Sequence, residues 1–390
     1  MEKQQSGKVS RRRFFQLTTA GTIAAAVPRL LPGADMPVEQ EKPATNIADA
    51  GKYPRGESSM PGRYPGVVAR ITHEGCIDDN RIVAPAVYRM IGEGMLALTG
   101  KARLKSAWRV FVRPGEKIGL KINPIGGPML STSHEVVKAV INQLEDAGIR
   151  KEDILIWDRR EEQMVEAGFT GENYPGINII GTERKDEKGS FYDTDGKLYS
   201  ERMIDKDWYY WADVEGEYDA YTMPYMVNGG KYSYFTKICT QMVDKIINIP
   251  IMKNAGSSVT LAMKNLAFGS VTNTGRLHKQ LWAETCAYVC AFPPLRDKVV
   301  LNIIDGIRGC FDGGPAANPQ FFTNYKTILL STDPVAVDRI GYEMILRKRI
   351  EEKIQKEEAA SARNFMNLAQ ELMLGVADLD RIEVREVRPA

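Results

Sequence analysis

Lys117-Ile118-Gly119-Leu120-Lys121-Ile122-Asn123-Pro124 is the stretch from which the architecture follows. Ile118, Leu120 and Ile122 recur every second residue, the period of a strand, and Pro124 with the Gly126-Gly127 turn ends it. Thr132, with Glu135 three residues on, predicts a capping box for the next helix. That helix would bury Val136, Val137, Val140, Ile141 and Leu144 and stop near Gly148. Ile154 to Trp157 then reads as a second short strand with Asp158 at its end. Strand, helix and strand joined by connections of a few residues make a βαβ unit, which implies a parallel sheet.

The same grammar returns toward both ends. Val67 to Ile71, Ile246 to Ile249, Val299 to Ile304, Thr327 to Leu330 and Ile382 to Val387 predict strands. Helical spacing covers Ile82 to Leu98, Val259 to Phe268, Gln280 to Phe292 and Pro334 to Arg349, with a polar helix near Ile350 to Leu374. The expected fold is α/β: a mostly parallel sheet with helices on both faces, over residues 65–390, with an aromatic-rich insertion or side lobe. Residues 191–235 hold 13 of the 33 aromatics and nine acids against four bases. They read either as a lid of little regular structure or as a β-rich side lobe with an aromatic core.

The chain has 390 residues, 43% hydrophobic and 26% charged, which excludes a disordered protein, a collagen-like fibre and a polytopic membrane protein. Its formal charge is +2, and residues 1–26 hold five bases and one acid, so the remainder, with 47 bases and 49 acids, is at −2. A near-neutral body lacks the concentrated basic face of a nucleic-acid binder. Ser10-Arg11-Arg12-Arg13-Phe14-Phe15-Gln16-Leu17, the weakly apolar run to Val27 and Ala24-Ala25-Ala26 match a twin-arginine signal peptide over 1–26. The expectation is a periplasmic or extracellular protein that meets the twin-arginine translocase, a route that carries folded chains and often a cofactor loaded in the cytoplasm. Residues 27–64, rich in Pro, Gly and Ser, read as an extended linker. The apolar run is about half the roughly 20 residues of a bilayer span, so no stable membrane span is expected. Five scattered cysteines do not make a disulfide scaffold, and Cys286 and Cys290, four apart, read as core thiols.

Three stretches could carry chemistry. They are Gly119-Leu120-Lys121-Ile122-Asn123, then Lys253 with Met263-Lys264-Asn265-Leu266-Ala267-Phe268-Gly269 and His278, and last Asn302-Ile303-Ile304-Asp305-Gly306 with Ser331-Thr332-Asp333-Pro334-Val335-Ala336-Val337-Asp338. Together they resemble the family catalogued as domain of unknown function 362, from about Pro65 to about Ile345. The resemblance implies the α/β fold and a pocket but no assigned reaction. Many such proteins append a ferredoxin-like module with repeated Cys-x-x-Cys. This sequence lacks that spacing, so no built-in iron–sulfur relay is expected.

Read by their chemistry, Lys121 and Lys264 would be expensive to bury unless paired or shifted in pKa. Each is either a ligand-holding group or a scaffold lysine: a snorkelling strand-end residue for Lys121, a carboxylate-paired one for Lys264. Lys253 follows a Pro-terminated strand, where α/β folds gather ligand groups. With Asn123 and Asn265 the lysines could hold a carboxylate or phosphate. Asp305, expected to end a strand before a Gly-rich loop, and His278 would handle protons. Asp333 reads as an N-cap before Pro334 or as a cofactor ligand, and Asp338 as a routine helix-start charge. Asp305, Asp333, Asp338 and His278 also form a candidate metal set, without a ligand-spacing signature. The absence of His-Glu-x-x-His and Gly-x-Ser-x-Gly disfavours a zincin or a Ser-His-Asp hydrolase. The leading expectation is an exported enzyme acting on a small anionic substrate or bound cofactor, needing an external electron partner if its reaction is redox. The rival is a non-catalytic periplasmic ligand- or metal-binding or assembly protein.

Overall fold

Eight strands lie side by side: β1 (Val67–Thr72), β2 (Ile118–Lys121), β3 (Ile154–Arg160), β4 (Asn178–Glu183), β5 (Lys245–Asn248), β6 (Val299–Cys310), β7 (Thr327–Ser331) and β8 (Glu383–Val387). Their order is β8-β1-β7-β6-β5-β2-β3-β4. The computed structural model describes residues 42–216, 230–256 and 258–389; the expected signal peptide and the first part of the expected linker lie outside them. Pairing is parallel from β6 through β5, β2 and β3 to β4, and again between β8 and β1, while β7 runs antiparallel to both its neighbours. Ile251–Ala255 pairs parallel with the far end of β6 and turns back into Ser258–Thr260.

Helices cover both faces, as the expected α/β fold requires. They are α1 (Ala84–Thr99), α2 (His134–Asp146), α3 (Ala262–Ser270), α4 (Trp282–Ala291), α5 (Pro334–Glu351) and α6 (Asn364–Glu371). Ile118, Leu120 and Ile122 face α1 and α2 in one core, while Leu155, Trp157, Ile246 and Ile304 join α3 to α6 in the other. The helix after β2 thus packs on one face and the helix after β5 on the opposite face. The strand order reverses between those two neighbours. Their carboxyl ends mark the switch point at which open α/β sheets take up ligands.

Several local expectations change. The strand at Asp305 does not end there: Asp305 pairs with Ile328, Gly306 with Thr327, and β6 continues to Cys310. Gly306 is glycine because a Cβ would lie 2.8 Å from the Thr327 carbonyl oxygen. The capping box does not form either. Ser133 is the N-cap of α2, and the Thr132 hydroxyl instead accepts from the Asn123 N–H at 2.9 Å and donates to the Ile249 carbonyl at 2.6 Å. Lys42 to Tyr64 is not an extended linker. Its turns bring Met60 into the core, and the Arg296 guanidinium donates to the carbonyls of Ala50, Tyr53 and Pro54. In the stretch read as one polar helix after Arg349, only Asn364–Glu371 forms a separate helix beyond the end of α5.

The described parts of the aromatic insertion, residues 191–216 and 230–235, form a side lobe, and residues 217–229 lie outside the described residues. Ile204–Trp211 pairs antiparallel with Tyr232–Thr236, and Tyr210 and Phe235 are fully buried in the core beside α4. Arg276 fastens it by donating to the carbonyls of Ala212, Val214 and Lys231 and to the Ser233 hydroxyl.

Three buried carboxylates are spent on helix starts. Asp333 caps α5: Oδ1 accepts from Val335 and Ala336 N–H at 2.9 and 2.8 Å, and Oδ2 from Gly66 and Val376 N–H at 2.9 and 3.0 Å. Asp338 accepts from Ala262 and Met263 at the start of α3 at 2.6 and 3.0 Å. Asp305 accepts from Ser133 N–H at the start of α2 at 2.8 Å and from Ile307 N–H at 3.2 Å. With four donors on it, Asp333 has no lone pair left for a cofactor, which corrects that expectation. Asp333→Ala should therefore lower unfolding stability by about 3 kcal/mol, combining a lost N-cap with orphaned buried N–H groups. Urea unfolding checks this; an unchanged midpoint would mean that Asp333 is not a scaffold residue.

Candidate functional site

One register position carries a row of polar side chains across the sheet. Lys121 on β2 stands opposite Asn248 on β5, Asn248 opposite Asn302 on β6, and Asn302 opposite Ser331 on β7; all four are fully buried. The reading that Lys121 points away from Leu120 and Ile122 holds, and α3 lies on the side to which it points. Gly269 makes room, since a Cβ there would collide with the Lys121 side chain. Lys121 Nζ pairs with Asp158 Oδ1 and donates to the Ile122 carbonyl at 2.7 Å and Asn265 Oδ1 at 3.1 Å. Burial pushes its ammonium below the ordinary lysine value even though Asp158 opposes the shift. Lys121 is thus fully buried and paired, with each of its partners supplied by the scaffold.

The asparagines form a single chain of amides. Lys253 Nζ donates to Asn123 Oδ1 at 2.9 Å, Asn123 Nδ2 to Asn265 Oδ1 at 2.9 Å, Asn265 Nδ2 to Asn248 Oδ1 at 2.8 Å, and Asn248 Nδ2 to Asn302 Oδ1 at 2.9 Å. Lys253 also donates to the Ile125 carbonyl at 2.6 Å and is fully buried. Asn123, Lys253 and Asn265 therefore do come together, as expected, with their polar atoms mostly committed to one another.

Of the three lysines expected in the site, Lys264 is the one with no carboxylate, amide or carbonyl partner among the described residues. It sits in the first turn of α3 with 7% of its surface exposed. Its only hydrogen bond is a long one, 3.4 Å, to the Thr260 hydroxyl, and the faces of Phe268 and Trp282 flank it at 5.7 Å. No carboxylate pairs with it among the described residues. Burial, with Arg159 adding to it, lowers its ammonium below the ordinary value. Two cavities adjoin at Lys264, His278 and Pro315. The inner one, 90 Å³, also touches Asn123, Arg159 and Asn265, and the outer one, 540 Å³, opens past Trp282 and Ala283.

His278 stands where they meet, with Nδ1 3.1 Å from the Thr274 carbonyl and its ring 4.5 Å from Phe268. A carbonyl only accepts, so Nδ1 carries the proton and Nε2 keeps a lone pair. Desolvation, then Lys264 and Arg159, hold the imidazole below its usual value.

Of the expected catalytic residues, Lys264 and His278 share the cleft. Asp305 does not, because it is turned to the start of α2. The candidate metal set is dispersed: among the described residues no group of three or more His, Cys, Asp or Glu side chains converges. Cys286 and Cys290 are buried core thiols, raised by desolvation. Sequence reasoning missed Arg159, Asn248 and Asn302 as site residues. The two asparagines carried the signal that marked Lys121, a polar side chain inside an apolar strand run.

Fold and cleft together define an α/β protein with a donor-rich, cationic crevice at the carboxyl ends of parallel strands. The model of the family described as domain of unknown function (DUF362) matches residues 213–343, about a third of the chain. The match takes in Lys253 through Asp338 but not the Gly119–Asn123 stretch. A crystal structure of a protein from Thermotoga maritima shares 8% identity at a TM-score of 0.33, covering 71% of this chain; this chain spans 60% of that one. No curated protein matches.

Lys253 gives the site a pH signature. Burial first, then the neighbouring Lys264, push its ammonium down to about 7. Unfolded, a lysine holds its proton to about pH 10.4, so between those values the unfolded chain binds more protons and native stability rises with pH. Relative to Lys253→Met, the wild type should gain about 1 kcal/mol per pH unit from pH 7 to 9. Urea unfolding of both proteins at pH 6.5 and 8.5 reads this; a difference independent of pH would show that Lys253 stays charged when folded.

Proposed function

We propose that this is an exported α/β protein that binds a small anionic ligand in the cleft, with Lys264 as its principal cation, Arg159 beside it and the His278 imidazole as the group able to exchange a proton. The observation that carries the reading is a nearly buried ammonium without a carboxylate, at the junction of two cavities. An isolated charge removed from water is expensive, and a bound anion supplies the missing partner. On the inner wall Arg159 is paired with Glu183 and donates to the Phe268 carbonyl and the Thr274 hydroxyl, so Lys264 supplies the unanswered charge that suits a carboxylate or a phosphate group. Neither cavity holds the converging acids of a divalent-cation site, which favours the anion over the metal-binding alternative.

Lys264→Met separates this reading from a scaffold role. Methionine keeps most of the stem's volume, so stability in buffer should change by no more than about 1 kcal/mol. The thermal shift produced by acetate or inorganic phosphate should disappear, because a charge-assisted hydrogen bond contributes about 1.5–3 kcal/mol. A mutant that melts far lower in buffer yet shifts as the wild type does would make Lys264 structural.

Export is tested separately. With Arg11 and Arg12 both changed to lysine, the folded precursor should stay uncleaved in the cytoplasm on fractionation. Normal delivery of that variant would remove the twin-arginine reading.

A further inference from the structure

The two cavities differ in size and in chemistry. The inner one, 90 Å³, is lined by Asn123, Arg159, Lys264, Asn265 and Thr274, by Asp158, whose charge is answered by Lys121, and by Phe268. A space of about three water volumes admits a head group of a few heavy atoms and no more. The outer one, 540 Å³, lies within the range of pockets for drug-sized molecules. Its lining includes Trp282, Ala283, Ala255 and Pro315 as apolar wall, with Glu284 and Asn364 among the polar groups.

Lys264 belongs to both. Its ammonium is 5.7 Å from the centroid of the Trp282 ring, and that ring is held edge-on by Phe365 at 5.5 Å and 81°. The indole is thus fixed in orientation, partly exposed, and next to the cation at the neck of the small chamber. A ligand whose anion reaches Lys264 from the outer side must lay whatever it carries along this wall.

Resting on the anion-site reading above, we infer that the ligand is an anion bearing an aromatic ring, with its carboxylate or phosphate in the inner chamber and its ring against Trp282 in the outer one. A bare inorganic anion leaves the outer wall wet. A ring there covers apolar surface and meets the indole in a stacked or edge geometry. The head supplies charge pairing and the ring supplies discrimination.

The experiment measures equilibrium binding of four probes, acetate, benzoate, inorganic phosphate and phenyl phosphate, to the wild type, Trp282→Ala and Lys264→Met. Each phenyl-bearing probe should bind the wild type about tenfold more tightly than its small counterpart. Trp282→Ala should bring both ratios close to one, weakening benzoate and phenyl phosphate more than acetate and phosphate, and Lys264→Met should weaken all four. Trp282→Phe, which keeps a smaller ring, should give intermediate ratios and serves if the alanine variant does not fold. Equal affinities within each pair, with dependence on Lys264 intact, would overturn the aromatic class and leave the anion site standing. Binding indifferent to Lys264→Met would overturn the anion site itself.

Discussion

Asn265 makes three hydrogen bonds from a helix into a sheet, accepting from Asn123 and Lys121 and donating to Asn248, and the arrangement of the cleft depends on them. A polar row in the middle of a sheet face would be costly if left unpaired, by about 1–3 kcal/mol for each group. Only a helix carrying an amide at that position, and a glycine one turn on where Lys121 rises, can close over it. Those requirements fix the place of α3. Lys264 precedes Asn265 by one residue on the same helix, so it is fixed as well, and with it the neck between the two cavities.

The ionisable groups divide by what answers them. Asp305, Asp333 and Asp338 are answered by backbone N–H groups at the starts of α2, α5 and α3, and so serve to orient helices. Lys121 is answered by Asp158, and Lys253 by an amide and a carbonyl. Lys264 alone among these three lysines meets just a distant hydroxyl and two aromatic faces. The three helix-orienting acids are thus withdrawn from the cleft, while the two that line it are each paired, Asp158 with Lys121 and Glu284 with Lys42, and its character follows from that separation.

Much of the frame was legible in the sequence. The alternation in Lys117–Asn123 and the helical spacing after it set a parallel unit, and the side on which Lys121 lies follows from strand pleating alone. Asp333 before Pro334 announced an N-cap. What could not be read were relations between segments far apart in the chain. Asp305 looked like a strand end because glycines follow it, yet those glycines exist so that the backbones of β7 and Ile251–Ala255 can approach. Thr132 and Glu135 had capping-box spacing, but the Thr132 hydroxyl found a better partner in Ile249, more than a hundred residues away. The prolines before Tyr64 suggested a tether, whereas three of the carbonyls there are gathered by Arg296. The cleft was half visible: Lys264 stood out by its small and apolar neighbours, while nothing around Arg159 marked it.

The amide row also has a sense of direction. At one end stands an ammonium, which can only donate; at the other, Asn302 Nδ2 faces the Ser331 carbonyl at 3.5 Å, which can only accept. Turning any one amide over would set oxygen against oxygen on one side and NH₂ against NH₂ on the other. The four side chains are therefore aligned head to tail like compass needles, and their dipoles reinforce one another. The file is pinned at its ends and again in the middle, where Lys121 donates to Asn265 Oδ1 and Asn248 Nδ2 donates to the Ala262 carbonyl. A lost proton at Lys253 would therefore be felt at Asn123 and stop at Asn265, and the file behind it would keep its sense.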